Sequence, residues 1–387
     1  MSPPVVVVGC PTGRRVALLQ AALADRGSPP AVVIGYDDLL DGKVRLDQVV
    51  TAGAWLRIDS PERDFHVERA LIAAGAEEPD DEAPHADRIG RARALRLAFD
   101  RGRLLHPRQW FLGFRALLRA LDQQRLACPP HRVANPPEEI ATMFDKPACQ
   151  TRFVAAGLPC PRPLGTPWGY DDLRGRMAAA GLSRVFVKLA HGSSASGIVA
   201  LAAAPGKIQA WTTVEVVNHH GRTRLYNTRA IRRIEAESEV APLIDALCRE
   251  RAQAERWVPK ASVPGGTFDL RVVVIAGNAR HVVARLSATP MTNLHLLNHR
   301  GDAGVVRARM TEEAWSDALR SCERAARLFP GSLCAGVDLV IASGFRRHAL
   351  IEINAFGDLL PGVEHDGQDT YAAVLDAAGI DGSRSVA

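Results

Sequence analysis

Lysine is scarce in this chain. Of 48 basic residues only five are lysine: Lys43, Lys146, Lys188, Lys207 and Lys260. Arginine carries the charge elsewhere, as a GC-rich coding sequence would produce. A lysine kept against that bias marks a place where a compact ammonium does what the planar arginine fork cannot. Lys43 and Lys207 lie in polar turns and read as solvated. Other absences exclude whole classes. The seven cysteines include no C-x-x-C pair and are odd in number, which speaks against a disulfide framework and for a reducing compartment. No apolar run approaches the length of a membrane span, and "MSPPVVVVGC" lacks the basic start of a secretory signal. The expectation is therefore a cytoplasmic protein with no membrane partner. "GCPTG" after the first apolar run does not satisfy G-x-G-x-x-G, so a dinucleotide site there is not supported. No Ser-His-Asp or Cys-His set suggests a protein nucleophile, and no metal spacing involves the histidines.

What is present is an ordinary globular composition, 47% hydrophobic and 24% charged, over 387 residues. That length suggests two or three domains. A net charge of +5 suits anionic substrates such as nucleotides without demanding nucleic acid. Residues 1–135 read as α/β with a parallel sheet, from "PPVVVVGCPTGRRVALLQAALADRG", "PAVVIGYDDLL" and "AWLRIDSP". Residues 86–125 read as an Arg-rich helix pair with a solvated basic face, nucleic-acid binding being the alternative. A Pro-rich boundary follows at 134–165. Beyond it come a strand, Gly/Ser loop and strand at 183–201, a long hairpin at 209–234 with "NHHG" at its tip, and a hairpin turning at "GN" in "FDLRVVVIAGNARHVVARLS".

Two segments carry chemistry. "CAGVDLVIA" and "RHALIEIN" flank "SGFRR", a hairpin signal. Glu352 and Asn354, two apart, share a sheet face. A turn centred near Phe345 sets Asp338 opposite Glu352. Two facing acids are destabilising on their own, and burial worsens this. A hard divalent cation, Mg²⁺ or Mn²⁺, removes the conflict through an all-oxygen ligand set; a polar edge hairpin with a solvated face is the bland alternative. In "VFVKLAHGSSASGIV", Lys188 projects from a strand just before a loop whose amides and hydroxyls can cradle phosphate oxygens. Alone, that loop is also consistent with a plain flexible turn. Lys146 opens a helix, "ERWVPK" offers an aromatic and a free backbone, and Arg271 and Arg285 sit on neighbouring strands where each can clamp an anion.

Taken in this order, the segments resemble the ATP-grasp superfamily over residues 136–372, with "IEINAFGDLLPG" nearest to an uncharacterised bacterial group of it. The resemblance implies an α/β fold, α+β in the ATP-grasp part. A Rossmann-like pre-ATP-grasp domain (1–135) would precede a lid or central domain (136–257) and a C-terminal domain with the metal site (258–387). It also implies roles. Lys146 and Lys188 would contact the α- and β-phosphates of ATP, and Ser193, Ser194 and Ser196 would cover them. Glu255 would meet the adenine amino group, with Trp257 and Val258 as hinge backbone. Asp269 would hold the ribose and Asn293 would match an asparagine of RimK-like ligases. Asp338, Glu352 and Asn354 would bind two Mg²⁺ ions, and Arg271 and Arg285 would hold a carboxylate during catalysis. The implied activity is an ADP-forming carboxylate–amine ligase working through an acylphosphate; a non-catalytic ATP-binding regulator and a small-molecule kinase are the alternatives on the same fold. Small-molecule or peptide acids and amines are the implied partners, and a homodimer is admitted without being required. Two departures bear on the substrate: Met291 stands where RimK-like ligases carry arginine, and the "NAFGDLLPGVEHDG" tail is unlike theirs.

Overall fold

The computed structural model describes residues 3–380 apart from 63, 194, 220–221, 297 and 357–359. Three sheets organise the chain. The first holds β1 (Val5–Gly9), β2 (Val32–Gly35), β3 (Trp55–Ile58) and β4 (Arg132–Val133), all parallel in the order β2-β1-β3-β4. Its leading "VVVV" is buried throughout, as a parallel strand covered on both faces requires. The period of two sorts it: Val6 and Val8 join one core, Val5 and Val7 another.

The second sheet is antiparallel and contains β5 (Pro163–Gly165), β6 (Arg184–Leu189), β7 (Ile198–Ala204), β8 (Lys207–His219), β9 (Arg222–Ile234) and β10 (Ala252–Arg256), ordered β5-β10-β6-β7-β8-β9. Val185, Val187 and Leu189 face the helices Tyr170–Ala180 and Glu237–Arg249 and build a core with Leu173, Met177 and Leu247. The alternate residues, Phe186 and Lys188, are left on the other face. The third sheet contains β11 (Ser262–Val263), β12 (Gly266–Ile275), β13 (Asn278–Ser287), β14 (His299–Gly301), β15 (Cys334–Ile341) and β16 (His348–Asn354), ordered β14-β13-β12-β15-β16 with β11 on β12. Leu270, Val272 and Leu339 pack under the helix Glu312–Arg327 through Ala318, Cys322 and Ala325, in a core continuous with that of the first sheet. No helix among the described residues is long and apolar enough to cross a membrane.

The stretch 86–125 departs from expectation. Only Pro107–Leu126 is a long helix, preceded by one turn at Arg91–Ala94. Gly102 and His106 both take left-handed backbone, which breaks the helical run, and Pro107 restarts it at a position where its missing N–H costs nothing. Nor is the arginine face wholly solvated. Arg108 is buried and paired with Asp80 at 2.5 Å and Glu82 at 2.9 Å. The non-helical segment has a use: Leu104 N donates to Leu225 O and Asn227 N to Gly102 O, so it pairs along the free edge of β9.

Candidate active site

Register builds the site. On the third sheet Arg285 stands opposite Asp269, Arg271 opposite Asp338, and Asp338 opposite Glu352. From β13 through β12 to β15 opposite charges face each other, the arrangement that cross-strand electrostatics favours, whereas Asp338 and Glu352 face each other with like charge. Arg285 Nε donates to Asp269 at 2.7 Å and its Nη2 lies 3.1 Å from Asp338; Arg271 Nε donates to Asp338 at 2.5 Å. A bulge between Asp338 and Leu339 leaves Ile351 without a partner on β15. It lets the consecutive residues Ile351 and Glu352 line the same cleft, which a regular pleat forbids.

The second sheet supplies the opposing wall. Lys188 Nζ donates to Glu255 Oε1 at 2.5 Å, and Glu255 Oε2 accepts from Gln150 at 3.1 Å and Gln253 at 3.2 Å. Burial alone would lower the Lys188 pKa; Glu255 outweighs it, with help from Glu352 and Asp338, and the pKa is raised. Lys146 follows Asp145, which caps its helix by accepting from Ala148 N. Its Nζ donates to Gly192 O at 2.5 Å and sits 3.7 Å from Glu352. Burial raises and the two lysines lower the Glu352 carboxyl, which ends at about 2. The intervening cleft has Phe186, Ile198, Met291 and Val340 as its apolar wall.

Of the residues singled out in the sequence, Lys146, Lys188, Ser196, Glu255, Val258, Asp269, Arg285, Asn293, Asp338 and Glu352 line this cleft. Ser193, Arg271 and Asn354 line an adjoining cleft that shares Lys146, Gly192, Arg285, Asn293 and Glu352 with the first. Ser194 lies outside the described residues. Trp257 is not among the residues that line the cleft: its ring packs on Phe186 and Trp211 and its backbone N–H donates to Arg184 O, whereas Val258 does line it. Glu255 is not a free acceptor either; both its oxygens are taken, because a buried ammonium needs a counter-charge. Arg271 and Arg285 likewise are matched to Asp338 and Asp269 rather than held open. Lys260 was missed. It is largely but not fully covered on the cleft wall, donates to Thr292 Oγ1 at 2.6 Å, and desolvation lowers its pKa despite Asp269 at 3.6 Å. The scarcity of lysine was the signal for it.

The Gly/Ser loop is built from the long hairpin. Ala195 and Gly197 take left-handed backbone, and a Cβ at Gly197 would strike the Leu189 side chain at 2.3 Å. Thr213 Oγ1 lies 3.1 Å from Ala195 O and donates to Asn227 Oδ1 at 2.8 Å, while Gly197 N points at Asn227 Oδ1 at 3.4 Å. A register shift between Thr212 and Val214 turns Thr213 inward. The middle of the hairpin thus supports the loop. Asn227→Ala should leave the fold intact and weaken binding of a nucleotide analogue about tenfold, the usual worth of one or two hydrogen bonds; unchanged affinity in a calorimetric titration counts against that support.

A buried cluster fixes the same loop from behind. The His191 ring stacks on Phe111 with centroids 3.7 Å apart, and its Nε2 lies 3.3 Å from Asp145, Arg108 and Arg251. Burial, reinforced by the two arginines against the pull of Asp145, pushes its pKa down to about 3. An unfolded histidine titrates near about 6.5. Between that pH and about 3 the unfolded chain binds a proton that the folded one refuses, so this group costs stability increasingly as pH falls through the window. His191→Gln should flatten the pH dependence of Tm between about pH 6.5 and about pH 4; parallel curves for the two proteins would discard the assignment.

No protein-family model and no curated protein sequence matches the chain. Solved structures do. D-cycloserine synthetase DcsG superposes with a TM-score of 0.55 at 14% identity, covering 97% of this chain and 98% of that one. The D-alanyl-alanine synthetase A of Vibrio cholerae gives 0.53 at 15%, covering 98% and 99%. The ATP-grasp ligase PsnB, complexed with a phosphomimetic variant of its minimal precursor, Mg and ADP, gives 0.52 at 18%, covering 97% and 98%. The three sheets, the lysine-lined cleft between the second and third, and a likeness that runs nearly end to end lead to one conclusion: the chain has the ATP-grasp fold.

Proposed function

We propose that the chain is an ADP-forming ligase that joins a carboxylate to an amine, with ATP lying between the second and third sheets. The observation that carries this reading is the convergence of Lys146, Lys188, the Gly/Ser loop and the Asp338–Glu352 pair on one cleft. The apolar wall takes the base, Val258 its edge, Asp269 the ribose, and the lysines and loop the phosphates. Lys188 reaches them with Glu255 as its fixed partner. Asp338, Glu352 and Asn354 fit Mg²⁺ by their hard, all-oxygen chemistry and adjacent positions on β15 and β16. Two ions held there would neutralise phosphate oxygens. Asp338 would then exchange its arginines for a cation, which frees Arg271 and the Nη2 of Arg285, the latter still held by Asp269, to meet the substrate carboxylate. Three units, 1–135, 136–257 and 258–387, correspond to this division of labour.

In the reaction a carboxylate oxygen attacks the γ-phosphorus and the bond to ADP breaks. The amine then attacks the acyl carbon, phosphate leaves with one former carboxylate oxygen, and the amine's proton passes to solvent. The chain's part is to position and to neutralise charge. The test is a screen of acids and amines for ADP release, followed by mass spectrometry with an ¹⁸O-labelled carboxylate. Label in the released phosphate is the expected result. Unlabelled phosphate sinks the acylphosphate, a phosphorylated final product makes the protein a kinase, and absence of turnover with intact nucleotide binding makes it a regulator.

A further inference from the structure

The adjoining cleft carries more positive charge than the proposed reaction needs. Among the described residues, six basic side chains line it (Arg14, Arg15, Lys146, Arg271, Arg285 and Arg300) against the acids Glu62 and Glu352. Arg271 and Arg285 are matched by Asp338 and Asp269 in the sheet beneath, and Lys146 by Glu352. Of the remaining three, Arg14 and Arg300 pair with no acid among the described residues, and Arg15 has only a long contact to an acid that is already engaged. Arg14 is exposed and has no carboxylate within ion-pair reach among the described residues. Arg300 donates to the Pro361 carbonyl at 2.7 Å and pairs with no acid among the described residues. Arg15 donates to Phe356 O at 2.9 Å. Its guanidinium lies 3.8 Å from Asp59, whose two oxygens already accept from Arg57, while Glu62 accepts from its backbone N–H at 3.4 Å. Arg15 is therefore aimed by backbone and held at the cleft with charge to spare. Two elements remote in sequence, the start of the helix Arg14–Asp25 and the strand β14, bring this charge to one wall.

We infer that the acid this protein takes carries a second anionic group, which does not react and which Arg15, Arg14 and Arg300 hold while the first carboxylate meets the phosphate end of the cleft. The inference rests on the ligase reading for the identity of the cleft but is tested without turnover. Hydrogen bonds to a charged partner are worth roughly tenfold to a hundredfold in affinity. A carboxylate and a phosphate monoester share the required chemistry, and the probes separate them.

The full chain, with and without the ATP analogue AMPPNP and Mg²⁺, is titrated calorimetrically with L-glutamate against L-glutamine and with O-phospho-L-serine against L-serine. At least one anionic probe should bind about tenfold or more tightly than its neutral counterpart. Glutamate preference assigns a carboxylate, phosphoserine preference a phosphate. In Arg15→Gln the discrimination should collapse while AMPPNP affinity stays unchanged. Arg14→Gln, at an exposed position, should show a smaller loss and guards against misfolding of the first variant. Equal binding within both pairs, including no detectable binding of either member, overturns the inference, as does discrimination that survives in both variants. Failure of AMPPNP to bind strikes the ligase reading instead and leaves the paired comparison readable.

Discussion

Lys188→Met should unfold the protein at markedly lower temperature as well as abolish tight nucleotide binding. The ammonium is buried and its partner Glu255 is 1% exposed, so removal of one leaves the other as an uncompensated interior charge. Breaking such a pair costs about 3–5 kcal/mol. Loss of ATP binding in this variant alone would therefore prove nothing about contact with phosphate. The double variant Lys188→Met, Glu255→Gln separates the effects. The amide oxygen introduced by Glu255→Gln can still accept from Gln150 and Gln253, so most of the lost stability should return. Affinity for AMPPNP should stay down by at least ~10²-fold, the worth of a charged hydrogen bond in a dry site. Normal AMPPNP binding by the double variant would remove Lys188 from the nucleotide site. Lys207→Ala, at the turn that opens β8, should change neither quantity.

Glu352→Gln is the second large effect, and here the fold should survive. The side chain is 23% exposed and its cationic neighbour Lys146 is 15% exposed, so no fully buried charge is orphaned. Turnover should nevertheless fall at least ~10²-fold, or about 3 kcal/mol by transition-state arithmetic, because the proposed metal set would lose one charge. The pH dependence adds a check. The folded carboxyl is held at about 2, below its unfolded value, so its contribution to stability is complete above the unfolded pKa and is lost progressively as pH falls from there through about 2. Any acid limb in activity above about pH 4 must then persist in the variant at its reduced level. Near-normal turnover would detach Asp338 and Glu352 from metal binding altogether.

Much of this site could be read from local pattern. Alternation with period two and a short turn were enough to set Asp338 against Glu352, which the register bears out. What escaped depends on partners distant in the chain. Arg271 lies 67 residues from Asp338, and nothing near "DLR" announces that their strands pair. Arg108 looked like one more solvated arginine because its counter-ion Asp80 is 28 residues upstream, in a loop. Arg15 falls in "TGRR", indistinguishable from surface until the first sheet is laid beside the tail at Phe356. The bulge at Ile351 was invisible for another reason: one extra residue in an apolar run changes which side chains face the cleft without changing composition. Lys260 was different, since the rarity of lysine pointed to it and only its place in a proline-flanked loop drew attention away.

The pairing of Gly102–Leu104 with β9 has a consequence for dissection of the protein. β9 is 13 residues long and would otherwise end the second sheet as a bare border of hydrogen-bonding groups, an invitation to intermolecular strand addition. The segment that seals this border belongs to the N-terminal part of the chain. Excision of 136–257 as a free-standing piece would strip the seal, and such a fragment should self-associate where the intact chain stays dispersed. The sealing segment also joins the outer margin of the sheet to the first third of the molecule, while β5 and β10 tether the opposite margin. If the ligase reading holds, any tilt of this sheet over a bound nucleotide would have to break the two backbone hydrogen bonds between Gly102–Leu104 and β9 or carry the N-terminal segment with it.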